Sequence, residues 1–322
     1  MKLSFVIPCY RSEAFIANTI SEIRETMAQR TDIHYEIIAV NDGSPDNVFE
    51  VLKELAKKWK ELVVIDLSMN FGQENARLAG INYSSGDYIV CLDDDGQCPM
   101  SEVWRLIEPL QEGYDVSIAR YPEKKQSAFK NFGSRVNSIM THWLLKMPES
   151  IEMSNFFAFN KRMRSEIIRY KNPYPFITGL FFRATQRVIN VEMEERERTQ
   201  GTTGYTLRKL VGLWLNGLTN FSVKPLRVAD GLGIVFALIG FAFGLITIIR
   251  KLLQPDMLAG YASIIAAIFF VGGILMLLLG MIGEYIGRIY LCLNQMPQYV
   301  IRQVVSFSEE KQCEEQELQA SV

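Results

Sequence analysis

The sequence predicts an α/β protein. Its core is a mostly parallel β-sheet covered on both faces by helices, followed by two C-terminal helices apolar enough to cross a membrane. Three observations predict this class. Over the first 120 residues, short β-branched runs alternate with amphipathic stretches of helical period. The runs are apolar almost throughout, as strands buried on both faces must be. Two stretches near the C-terminus then run for about 20 residues almost without charge.

The strands are expected at 3–7 (LSFVI), 35–40 (YEIIAV), 62–67 (LVVIDL), 88–93 (YIVCLD) and 115–119 (DVSIA). Phe15, Ile16, Ile20, Ile23 and Met27 recur at helical spacing, and so do Val48, Leu52, Leu55 and Trp59. Ala76, Leu78, Ala79 and Tyr83 mark a third helix, and Val103, Leu106, Ile107 and Leu110 a fourth. Strand–helix alternation of this kind closes a parallel sheet, and ligands bind beyond the carboxyl ends of its strands. Residues 121–226 are less regular and read as short helices mixed with loops, with a proline-rich loop at YKNPYPF (170–176).

The spans are expected at about 229–249, with a single charged residue at its start, and at about 262–283, with none. Soluble helices rarely stay apolar all round for so long. Two spans return the chain to its starting side. Lys209, Lys224 and Arg227 before them and Arg288 and Arg302 after them place both ends in the cytoplasm, against Arg250 and Lys251 in the connection. The expected domains are therefore 1–226, a cytoplasmic catalytic domain with an interfacial segment; 227–288, the membrane helices; and 289–322, a cytoplasmic and partly disordered tail. Glu284 and Arg288, spaced i,i+4, suit a helix running on into the interface. Gly240/Gly244 and Gly283/Gly287 are patterns that let helices approach closely, compatible with a homo-oligomer.

Composition removes several function classes. The net charge is −2, which argues against nucleic acid as a partner. Five scattered cysteines form no CxxC pair, which suits free thiols in a reducing compartment. His34 and His142 stand alone, a poor basis for a Ser/His/Asp or Cys/His site. The N-terminus MKLSFVIPCY does not read as a signal peptide. No GxGxxG follows the first strand, so a Rossmann dinucleotide site is unsupported.

Chemistry gathers after the strands: PCYRSE after the first, NDGSPD after the second, SMNFGQENARLAG after the third, DDDGQCP after the fourth. Asp42 can accept from a base or ribose, while NDGS is equally good turn chemistry. In an extended chain Asp93 and Asp95 share one side, and Gln97 continues it. Two carboxylates and an amide oxygen suit Mg2+ or Mn2+ carrying nucleotide phosphates. Residues 120–135 are basic, which is ordinary solvated surface or a phosphate site.

In order and spacing, VIPCYRSE, VNDGS, NFGQ, the DxDxQ-type run DDDGQ and the two spans resemble the family 2 glycosyltransferases, and within them the polyprenyl-phosphate glycosyltransferases. The resemblance covers nearly the whole chain. It implies a GT-A fold, a UDP- or GDP-linked sugar donor, a divalent metal, and transfer to a polyprenyl (undecaprenyl) phosphate at the cytoplasmic face. By position, Pro8, Tyr10, Glu13, Asp42, Gln73 and Asp94 would hold the nucleotide sugar. Asp93, Asp95 and Gln97 would hold the metal, with Asp93, Asp95 and Arg198 acting in catalysis. RTQGTTGY (198–205) is similar to the family pattern R-x-x-G-x-S-x-Y. Arg198 and Thr203, with Arg120, Lys130 and Arg135, would meet the lipid phosphate. Ser154 and Asn155 stand where many relatives carry an aspartate proposed as base. A QxxRW motif, expected of a processive polysaccharide synthase, is absent.

Overall fold

Eight strands form one mixed sheet in the order β7-β5-β6-β4-β1-β2-β3-β8. The chain is seen in a computed structural model that describes residues 1–121, 147–148, 150–194, 260–294 and 296–307, with scattered positions between 231 and 253. The first half follows the alternation closely: β1 (Lys2–Cys9), α1 (Ile16–Ala28), β2 (His34–Asn41), α2 (Val48–Ala56), β3 (Leu62–Leu67), α3 (Gln73–Tyr83), β4 (Tyr88–Cys91), a 3-10 turn (Met100–Glu102), α4 (Val103–Gln111) and β5 (Val116–Arg120). β1 pairs in parallel with β2 and with β4, and β2 with β3.

Strand period explains the two-sided core. In β1, Leu3, Phe5, Ile7 and Cys9 join one buried cluster with the apolar stripes of α1, α2 and α4. Val6 joins the other, with α3. Each large apolar side chain so buried stabilises the fold by about 1.5–3 kcal/mol.

Between residues 150 and 194 the described chain adds β6 (Phe157–Asn160), α5 (Lys161–Ile168), α6 (Ile177–Ala184) and β7 (Val188–Glu192). The expectation of helices and loops there held no strands. β6 is antiparallel to both β4 and β5, and β7 is parallel to β5. Phe157, Phe159 and Phe181 pack together under this half of the sheet, and Asn160 caps α5 by accepting the N–H of Met163 at 2.9 Å.

The described residues fall into two compact units, one within Met1–Gly204 and Met296–Val322, the other within Tyr205–Gln295. The second contains α7 (Tyr261–Leu293), 33 residues long. Among the described residues this is the one helix long and apolar enough to cross a membrane, over Phe270–Leu293. It takes in the expected span at 262–283 and continues past it, with Arg288 Nη2 donating to Glu284 Oε1 at 2.7 Å. The expected span at 229–249 is described only in part and includes a shorter apolar helix, Gly233–Ala242. Beyond α7, in the stretch expected as a tail, β8 (Ile301–Ser306) joins the first unit antiparallel to β3.

Candidate active site

Parallel pairing brings the carboxyl ends of β1, β2, β3 and β4 to one edge of the sheet. The loops that follow them, 10–15, 42–47, 68–72 and 92–99, share that edge. β6 runs the opposite way, with Phe157 facing Cys91, so the segment leading into β6 lies beside the aspartate run. Between them is a cavity of about 340 Å³ whose lining includes Asp93, Asp95, Gln97, Tyr121, Ser154 and Asn155.

The three residues expected to face one way do line one cavity, but not because the chain is extended. β4 ends at Cys91 rather than Asp93, and residues 94–96 turn, with Gly96 at φ +72°. A side chain resists that conformation, so glycine allows the turn.

Asp93 is held by three donors. Gln73 Nε2 donates to its Oδ1 at 2.6 Å, Asn155 Nδ2 to its Oδ2 at 2.9 Å, and Arg77 Nη2 lies 3.4 Å from Oδ1. Burial pushes the Asp93 carboxyl up, and Arg77 with the two amides opposes the rise. Gln73, expected near the nucleoside, reaches the aspartate run through this bond. Asn155 carries no basic group and acts here as a donor to Asp93.

Sequence reasoning passed over Arg77. Its side chain is 1% exposed, pairs with Glu74 at 2.5 Å and lies over the Phe157 ring. Burial works against the charge, yet Glu74 and Asp93 hold the Arg77 pKa above its ordinary value. Its Nε has no hydrogen-bond partner among the described residues. Glu74 in turn accepts the N–H of Ile177 at 2.7 Å, tying α3 to the start of α6. The available signal was a charged residue between the apolar Ala76 and Leu78, three residues after Glu74 on the same helix face.

Asp94 turns away. It accepts the Tyr10 N–H at 3.1 Å, and its backbone carbonyl accepts from Thr19 Oγ1. Burial raises its pKa to about 6, with Asp93 and Asp95 adding to the rise. Asp95 Oδ1 accepts the Gln97 N–H at 3.2 Å.

Asp42 is buried, and both its oxygens accept loop amides, Phe71 N–H at 2.7 Å and Gly72 N–H at 2.9 Å. Burial pushes it up to about 6 against those two bonds. Gly43 follows at φ +56°, and a Cβ there would collide with the backbone of Met69 and Asn70. The loops after β2 and β3 are therefore seated directly on one another. Pro8 is buried within β1, Tyr10 is exposed beside the edge, and Glu13 accepts the Asn47 N–H at 3.1 Å. Arg120, expected at the lipid phosphate, pairs with Glu152 at 3.0 Å and Glu192 at 3.8 Å. Lys130, Arg135, Arg198 and Thr203 lie outside the described residues.

Among the described residues no group of three or more His, Cys, Asp or Glu side chains gathers as a metal centre. The expected set is instead two carboxylates completed by the Gln97 amide, and hard oxygens of this kind fit Mg2+ or Mn2+.

A mostly parallel sheet that delivers carboxylates to a cavity at its carboxyl edge is the arrangement of GT-A glycosyltransferases. The chain belongs to glycosyl transferase family 2, which matches residues 4–174, and residues 224–289 match the GtrB C-terminal hairpin. Its similarity to relatives runs nearly end to end. It is 34% identical over 303 residues to the uncharacterized glycosyltransferase YkcC of Bacillus subtilis, covering 94% of each chain. It is 33% identical over 313 residues to the undecaprenyl-phosphate 4-deoxy-4-formamido-L-arabinose transferase of Edwardsiella ictaluri, again 94% of each. It is 30% identical over 311 residues to the prophage bactoprenol glucosyl transferase homolog of Escherichia coli K12, covering 94% of this chain and 99% of that one. Glucosyl-3-phosphoglycerate synthase of Mycobacterium tuberculosis, solved with Mn2+, UDP-glucose and phosphoglyceric acid, aligns over 68% of this chain and 77% of its own at 16% identity and a TM-score of 0.48.

Proposed function

We propose that this glycosyltransferase moves one hexose-type sugar from a UDP- or GDP-linked donor to a polyprenyl phosphate, undecaprenyl phosphate in bacteria, at the cytoplasmic face of the inner membrane. One observation carries the reading: Asp93, Asp95 and Gln97 converge on a single cavity after β4, which shares its edge of the sheet with the carboxyl ends of β1, β2 and β3. The full-length relatives named for undecaprenyl- and bactoprenol-linked transfer support the acceptor class.

In this reading Pro8, Tyr10, Glu13, Asp42, Gln73 and Asp94 serve the nucleotide sugar, and Asp93, Asp95 and Gln97 hold Mg2+ or Mn2+. When bound, the cation supplies positive charge where the departing diphosphate gains negative charge. Gln73, Asn155 and Arg77 keep the Asp93 carboxylate aimed. Arg198 and Thr203, with Arg120, Lys130 and Arg135, serve the phosphate groups. A lipid phosphate oxygen attacks the anomeric carbon while the bond from that carbon to the diphosphate oxygen breaks, which inverts the sugar's configuration. The attacking oxygen is already anionic near neutral pH, since a phosphomonoester's second pKa is about 6. No protein base has to take its proton, which suits an amide at position 155. Two spans, at about 229–249 and 262–283, anchor residues 1–226 and 289–322 on the cytoplasmic side, with the Glu284–Arg288 pair at the interface.

The test is incubation of membranes containing the protein with labelled nucleotide sugars, polyprenyl phosphate and Mg2+ or Mn2+. Label should enter the lipid phase with one donor and disappear with chelator. Asp95→Asn should lower the rate by roughly 100-fold, the scale of losing one transition-state stabiliser. Absence of metal-dependent lipid label with every donor would overturn the proposal, and full activity in Asp95→Asn would overturn the metal assignment.

A further inference from the structure

Strand β8 carries a feature with no part in the cavity. Its ladder with β3 slips: Leu67 faces Ile301 and Asp66 faces Gln303, leaving Arg302 as the extra residue between them. A bulge of this kind re-aims the side chain at its centre. Arg302 Nη1 lies 3.4 Å from Asp66 Oδ2, and Nη2 donates to the Ser68 carbonyl at 2.8 Å. The Asp66 side chain is only 2% exposed, whereas that of Arg302 is 60% exposed. An outer residue thus reaches in to a buried carboxylate.

From Asp66 a line of bonds runs along the carboxyl edge. Asn41 Nδ2 donates to Asp66 Oδ1 at 2.7 Å, and Asn41 Oδ1 accepts the Ser44 N–H at 3.1 Å. Ser44 Oγ accepts the Arg11 N–H at 2.8 Å and donates to Asp46 Oδ1 at 2.5 Å. Asp46 Oδ2 accepts the Glu13 N–H at 3.0 Å. The line ends in the loop that carries Tyr10 and Glu13. Arg11 sits there at φ +57°, alone among the described non-glycine residues in having positive φ. Such a conformation persists only where the surroundings over-determine it.

We infer that Arg302 is a positioning residue for the donor loops. By pairing with buried Asp66 it fixes the Asp66–Asn41–Ser44 line that holds 10–13 and 44–46 in place. The part of this concerning the nucleotide sugar rests on the donor reading above. Without Arg302, the Asp66 carboxylate keeps one side-chain donor and a buried, uncompensated charge, which drives it toward water and away from Asn41. The strand that follows α7 is then part of the donor site's frame, not a dispensable tail.

The experiment is hydrogen–deuterium exchange and steady-state kinetics on the full chain carrying Arg302→Met. Peptides spanning 9–14 and 42–48 should exchange faster, while those of α4 and β5 stay as in the wild type. The donor KM should rise roughly five- to tenfold, within the range such networks transmit, with kcat and the KM for polyprenyl phosphate within about twofold of the wild type. Arg302→Lys restores one charge contact but not the two-point grip, and should fall between. If Arg302→Met does not fold, Asp66→Asn keeps an acceptor for Asn41 while removing the paired charge, and should give the same pattern. Unchanged exchange in the two loops, or exchange raised evenly across the sheet, would overturn the inference. So would an equal shift of both KM values. A wild-type chain that uses no nucleotide sugar would instead defeat the donor reading, and the exchange result alone would decide whether Arg302 holds these loops.

Discussion

Replacing Arg77 with methionine tests whether a buried charge beneath Asp93 orders the site. Methionine keeps much of the stem's volume and its place over Phe157 while deleting the guanidinium. The change removes the 2.5 Å ion pair with Glu74 and the 3.4 Å ion pair with Asp93. Breaking a fully buried pair from one side costs about 3–5 kcal/mol. Here the partners are 29% and 26% exposed, so water takes up part of the stranded charge and a loss of about 2–3 kcal/mol is expected. At about 2–4 °C per kcal/mol for a unit of this size, the melting temperature should fall by about 4–12 °C. Asp93 also loses one of its three donors, and a carboxylate freed from such support costs roughly 10- to 100-fold in activity or metal affinity. Thermal denaturation and Mn2+ titration by paramagnetic resonance read the two effects separately. Arg77→Lys should recover part of both, because a single ammonium cannot span Glu74 and Asp93 as the guanidinium does. A Met variant that melts with the wild type and binds Mn2+ equally would refute the reasoning.

Two further outcomes follow from the loop beneath the site. Gly43→Ala places a methyl group against the backbone of Met69 and Asn70 at a φ that disfavours any side chain, so it should cost about 2–3 kcal/mol in melting experiments and weaken nucleotide binding measured by calorimetry. Asp42 has its folded pKa raised to about 6, so the folded chain binds a proton more tightly than the unfolded one, whose carboxyl titrates near 4. The stability of the wild type relative to Asp42→Asn should therefore be greatest below about pH 4 and fall by up to about 3 kcal/mol as pH rises through 6. A flat difference in denaturant midpoints across that range would show that the buried carboxylate is not titrating there.

The first five strands and four helices were readable because their signal is local. Leu3, Phe5 and Ile7 mark a strand by themselves, and Ile16, Ile20 and Ile23 a helix. The other strands depend on partners far away in sequence. β6 is four residues, Phe157–Asn160, with no alternation long enough to register, and it exists because β4 and β5 flank it. β8 pairs with a strand more than 230 residues earlier, and Ile301–Ser306 seen alone resembles the polar tail it precedes. The site divides in the same way. Asp93, Asp95 and Gln97 were grouped by a period-two argument, and they share the cavity through a turn at Gly96 instead. Asp42 was read as turn or ligand, and its bonds to Phe71 and Gly72 give it a structural task whatever it later binds. Arg77, Asp66 and Arg302 act through contacts between elements, which no local pattern encodes.

Three consecutive aspartates are tolerable at a strand end only if each charge is answered separately, and the fold separates them. Asp93 points to Gln73, Asn155 and Arg77, and Asp94 to the Tyr10 N–H on the opposite side, while Asp95 takes the Gln97 N–H. These answers are unequal. Arg77 is a full positive charge, but it is shared with Glu74. Burial pushes the Asp93 carboxyl up against its three donors. Such a run leaves a residual demand for positive charge, directed at the cavity that Asp93 and Asp95 line. A bound divalent cation would meet that demand from the cavity side while Arg77 meets it from beneath. Deleting Arg77 deepens that demand, but it also takes away one of the three donors that aim Asp93; the lost aim outweighs the gain in charge, so Arg77→Met should require higher Mn2+ for half-maximal transfer than the wild type.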